Sequence, residues 1–103
     1  MNPAKVNRSR LGKLTDLPNI GTACAKDLRQ LVIEKPEQLK GQSGYKLYDK
    51  LCEVTGMRHD PCMLDTFLSV ADFMNGGKPR PWWDYTEVRK QTLLKNPRKS
   101  KYA

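Results

Sequence analysis

The chain has 103 residues, 38% of them apolar, which allows one domain with one modest core and leaves no room for a two-domain enzyme with a deep cleft. Its formal net charge of +8 is carried by the ends, with +4 over residues 1–13, −2 over 14–77 and +6 over 78–103, a distribution that suits a polyanionic partner as well as it suits solubility. No apolar run approaches the roughly 18 residues of a membrane span and no signal-peptide pattern is present, so the expectation is a cytoplasmic protein, no membrane contact, and Cys24, Cys52 and Cys62 reduced.

In chain order, Leu11 and Leu14 predict a short helix near 8–16. Leu17-Pro18-Asn19-Ile20-Gly21 then reads as a tight turn. Pro18 presets the first corner, and Asn19 tolerates a positive φ at the second. Ala25, Leu28 and Leu31 recur on one face of a helix over about 21–31. Pro36 and Glu37 open a short connector that Gly41 ends. Ser43 is the expected N-cap of a helix over about 44–55, with Leu47, Leu51 and Val54 as its inward stripe, Tyr48 beside them and Gly56 as its stop. Asp60-Pro61 starts a helix to about residue 75, burying Leu64, Phe67, Leu68, Ala71 and Met74 before Gly76-Gly77. Pro79 and Pro81 keep 78–83 extended, and a last helix near 84–95 shows Val88 and Leu94 before Asn96-Pro97. The division is a basic arm at 1–10, a helical domain at 11–77, and a Pro/Trp strap with a basic helix and tail at 78–103.

The turn feeding the second helix is where function is expected. The first N–H groups of a helix have no intrahelical acceptor and lie at the positive end of its dipole. A phosphodiester oxygen would satisfy those of Gly21, Thr22 and Ala23, the Thr22 hydroxyl would add a bond, and Lys26 a charge. A corner with solvated N–H groups is the plainer reading of the same residues.

The pattern Leu17, Pro18, Asn19, Ile20, Gly21, Ala25 and Leu28 resembles the helix-hairpin-helix motif of DNA-binding and DNA-repair proteins. From Leu14–Gly21, Thr55–Cys62, Phe73–Gly77 and Pro81–Trp83 the chain is also similar, over about residues 11–90, to the small bacterial pathogenicity locus, or mitomycin-resistance-like, family. That resemblance implies an all-α, SAM-like bundle with a duplicated hairpin, about five helices plus a C-terminal helix. The helix-hairpin-helix resemblance, together with the reading of the turn, implies a nucleic-acid partner, DNA in preference to RNA, gripped through Asn19, Ile20, Gly21, Thr22, Lys26 and Arg29. The chain departs from the motif at Asn19, where the hairpin usually has glycine. The second turn, Gly56–Pro61, lacks the Pro-x-apolar-Gly order, so Arg58 and His59 are secondary contacts at most and Asp60 is the N-cap of the next helix.

Two other classes compete. Cys52, His59, Asp60 and Cys62 share one corner and are of metal-ligand type, but their spacing matches no pair of short chelating loops, and cysteines in such places pack as small core residues. Catalysis by Cys62 has no orienting partner in the sequence, so no enzyme, cofactor or metal is expected. A protein-interaction module of the same fold is the alternative function. Its contact would be Trp82 and Trp83, adjacent on an extended strap, one anchoring the core and the other partly exposed.

Overall fold

The computed structural model describes residues 2–95, which form four α-helices, five 3₁₀ turns and no strand. The helices are α1 (Thr22–Gln30), α2 (Gly44–Thr55), α3 (Pro61–Met74) and α4 (Thr86–Lys95). Single 3₁₀ turns occupy Pro3–Lys5, Arg8–Arg10, Leu14–Asp16, Pro36–Leu39 and Trp82–Tyr85. The all-α class expected from the sequence holds, with fewer helices than the five and a C-terminal helix read there.

The missing helix is the one expected near 8–16. Asp16 Oδ2 accepts from the N–H groups of Gly12 (2.9 Å) and Lys13 (3.0 Å), so the side chain takes donors that an α-helix would direct to the carbonyls four residues back. Asn7 caps the turn Arg8–Arg10 by accepting from Ser9 N. In place of that helix stand two 3₁₀ turns, Arg8–Arg10 and Leu14–Asp16, each shorter than the first arm of the expected hairpin pair.

α3 is the central element, buried almost all round. α2 crosses it at its N-terminal end, where Gly44 lies so close that a Cβ would stand 2.7 Å from Leu68 N. α2 turns Leu47, Tyr48, Leu51 and Cys52 inward, a stripe centred about 70° round the helix from Leu47; Val54 falls about 90° from that centre and is exposed. The caps follow the sequence: Ser43 Oγ accepts from Lys46 N, Asp60 Oδ1 accepts from Cys62 N, and Gly56 closes α2 in the left-handed region at φ 69°. Leu14, Leu17, Ile20, Leu28 and Leu39 complete the core from the other side.

The strap and α4 pack differently from expectation. Trp82 is half-buried and Trp83 is 60% exposed, their rings meeting edge to face at 5.6 Å, so neither plugs the core. α4 buries no residue, and Val88 and Leu94 face solvent. It is held by polar contacts. Asp65 on α3, fully buried, accepts from Thr86 Oγ1 (2.7 Å), Arg89 Nε (2.7 Å) and Arg89 Nη2 (3.3 Å). Tyr85 OH donates to Asp72 Oδ2 at 2.6 Å.

Candidate nucleic-acid interface

Leu17, Pro18 and Ile20 turn their side chains into the core, which leaves the backbone of the turn as its outer surface. Ile20 N donates to Leu17 O at 3.4 Å, and Asn19 takes φ 67° at the corner, as the sequence required. Gly21 is the N-cap of α1 with an extended backbone, φ −90° and ψ −174°, which any residue adopts. Thr22, Ala23 and Lys26 are exposed on the first turns of α1 and Arg29 on its last. The residues singled out from the sequence between Asn19 and Arg29 thus lie in one contiguous stretch, with Ile20 contributing backbone only.

The N-terminus of α1 is unlike those of α2 and α3. Ser43 and Asp60 supply side-chain acceptors to theirs, whereas no side chain caps α1. The Gly21 N–H faces the Cys24 sulfur, a contact that favours the thiolate. Burial and nearby Asp27 outweigh it and push the Cys24 thiol up. Thr22 and Ala23 keep first-turn N–H groups with no acceptor in the helix. At α3 the capping group is a carboxylate, which occupies the donor and repels a second anion.

The Asn19 side chain does not line this surface. Its Nδ2 donates to Ser69 Oγ (3.0 Å) and to Arg80 O (2.7 Å), tying the turn to α3 and to the strap. The side chain that replaces the usual glycine therefore faces inward and leaves the approach to α1 open.

Arg58 is exposed beside the Tyr48 hydroxyl, and His59 is half-buried and engaged. Tyr48 OH donates to His59 O, and His59 Nε2 lies 2.8 Å from Thr55 Oγ1. The Thr55 hydroxyl also donates to Leu51 O (2.8 Å), so it joins the His59 ring to the last turn of α2. The α2–α3 corner is thereby fixed from inside. Cys52 is buried in the core and Cys62 exposed, and among the described residues no three His, Cys, Asp or Glu side chains gather as metal ligands would. A hydrogen bond to Asp60 pushes the Cys62 thiol up, which is the opposite of nucleophile activation.

Two cations read as free surface charge are committed to the fold. Arg8 lies over the Phe73 ring at 4.0 Å and donates to Phe73 O (2.8 Å) and Gly77 O (2.6 Å), capping the C-terminal end of α3. Arg89 is paired with Asp65. Neither role has a local sequence signal, since the partners lie 65, 69 and 24 residues away. Lys5, Arg10, Lys13, Lys26, Arg29, Lys78 and Arg80 are exposed.

The sequence profile described as pathogenicity locus matches residues 7–91. Mitomycin resistance protein McrB of Streptomyces lavendulae is 39% identical over 80 residues, covering 78% of this chain and 76% of that protein. No solved structure matches. No helix of the described residues is long and apolar enough to cross a membrane.

Proposed function

The chain belongs to the pathogenicity locus family, and we propose that it uses this fold as a non-enzymatic, cytoplasmic module that grips the phosphate backbone of a nucleic acid, DNA in preference to RNA, through a hairpin turn. The observation that carries the reading is the uncapped N-terminus of α1, behind a turn whose apolar side chains all face the core. A phosphate oxygen accepts from the N–H groups of Thr22 and Ala23 and from the Thr22 hydroxyl, while Lys26 supplies the countercharge. The exposed cations of the arm and the strap enlarge the positive field. Such contacts read no base edge, so binding is insensitive to sequence and falls steeply with salt.

The test is fluorescence anisotropy with labelled duplex and single-stranded DNA at low and near-physiological salt. Gly21→Asp sets a carboxylate at the proposed phosphate position on a backbone that accepts any residue, so it changes charge and not the fold. It should abolish the salt-sensitive component. Lys26→Ala should weaken all sequences alike and flatten the salt slope by about one unit. Binding that both variants retain would remove the turn from the mechanism. The exposed indole of Trp83 favours a second reading, a protein contact at the strap; DNA affinity no greater than that of any protein of this charge would support it.

A further inference from the structure

The end of α1 departs from what its geometry asks for. Val32 N donates to Arg29 O (2.9 Å) and Ile33 N to Leu28 O (3.1 Å), the paired bonds of a Schellman closure, with Leu28 and Ile33 buried together beneath it. The residue that enters the left-handed region in such a closure is usually glycine. Here it is Val32, at φ 62°, a conformation in which a β-branched side chain is a genuine outlier. Its side chain gains little within the molecule in return, since Val32 is 75% exposed. The two hydrogen bonds and the Leu28–Ile33 pair hold the strained backbone, while the apolar side chain it carries is left outward with no packing role inside the fold.

Beside Val32 is a depression of about 210 Å³. That is small against the roughly 300–1,000 Å³ of small-molecule pockets and suits a single side chain. Leu31, Ile33 and Leu47 form its floor. Its charged lining is Lys46 and Lys50, four residues apart on α2 and both exposed, and no carboxylate lines it.

We propose that Val32 and this depression form a docking point for an acidic segment of a protein partner, which inserts one aliphatic or aromatic side chain against Val32 and sets its carboxylates on Lys46 and Lys50. The apolar floor and the two cations specify that occupant together. A nucleic-acid backbone would meet the lysines and leave Val32 unused. This face is separate from the turn at residues 17–22, and the proposal does not depend on phosphate binding there.

The experiment pans a displayed library of random linear peptides on the full chain, with counter-selection on the Val32→Gly, Lys46→Glu, Lys50→Glu variant. The selected peptide is then titrated into each protein. The expected result is a consensus of one large apolar residue flanked by Asp or Glu, bound at least about tenfold more weakly by Val32→Gly and by the double lysine variant, and equally well by Gly21→Asp. Val32→Gly relieves the strain, so a thermal midpoint at or above that of the wild type shows that its loss of binding is not loss of fold. No consensus, a consensus without acidic residues, unchanged affinity in Val32→Gly, or displacement of the peptide by duplex DNA would each overturn the proposal.

Discussion

Replacing Arg89 with alanine should detach α4. With α4 left in place, the substitution would strand the Asp65 carboxylate, whose side chain is 0% exposed, with Thr86 Oγ1 as its one remaining donor from that helix. Removing one partner of a buried ion pair costs about 3–5 kcal/mol. α4 has no buried residue to hold it against such a penalty, so lifting off and hydrating Asp65 is the cheaper response. Once free, a ten-residue helix is marginal in water and melts. α4's ten residues, set against the nine, twelve and fourteen of α1, α2 and α3, predict a fall of roughly a fifth in helical ellipticity. Amide hydrogen exchange should show residues 86–95 unprotected while 61–74 stay protected. Arg89→Lys keeps the charge and loses the fork geometry, and should fall between the two. A variant that keeps α4 protected, with unfolding free energy within about 0.5 kcal/mol of wild type, would refute the reasoning.

Substitutions at three further positions follow from contacts described above. Asn19→Gly should cost the two side-chain hydrogen bonds to Ser69 and Arg80, about 0.5–1.5 kcal/mol each, while Asn19→Ala adds about 1–2 kcal/mol for an alanine at positive φ. Urea titrations placing the two variants level would contradict that ordering. Gly44→Ala puts a Cβ at 2.7 and 2.8 Å from the backbone of Leu68, so an overpacking cost of about 1–3 kcal/mol should outweigh alanine's better helix propensity; a gain in thermal midpoint would count against it. Burial, and then the hydrogen bond to Asp72, push the Tyr85 phenol well above its ordinary value. Because the folded pKa is the higher one, this contribution is complete below about pH 10, the unfolded value, and is lost as pH rises from there toward the folded one. The urea midpoint should therefore fall more steeply above about pH 10 in wild type than in Tyr85→Phe, and parallel profiles would exclude the mechanism.

What could be read along the chain, and what could not, divides by range. Ser43, Gly56 and Asp60-Pro61 punctuate α2 and α3 with local chemistry, and those helices begin and end within a residue of where the sequence puts them. The turn at Pro18-Asn19 is equally local, and Asn19 takes the positive φ expected of it. The direction of the Asn19 side chain was not legible, because Ser69 and Arg80 lie 50 and 61 residues away. Arg8 and Arg89 look like any surface cation until their partners are in place. Near 8–16 the apolar spacing was real, but Asp16 captured the amides that a helix needed. Trp83 is the exposed member expected of the pair, while the core anchor expected of the other, Trp82, misled for another reason. Large aromatics are usually anchors, and here they pair with each other at the edge of the domain.

The clamp that Arg8 makes on Phe73 and Gly77 sets an order on biosynthesis. Arg8 is synthesised before α3, yet the carbonyls it binds belong to the last turn of that helix and to the residues just after it. Until then the guanidinium has no site to fill, and the end of α3 is closed by local bonds alone, Gly76 N to Phe73 O and Gly77 N to Asp72 O. The contact joins residue 8 to the point where the strap departs, so a nascent chain that stops short of residue 77 lacks part of the site that Arg8 fills.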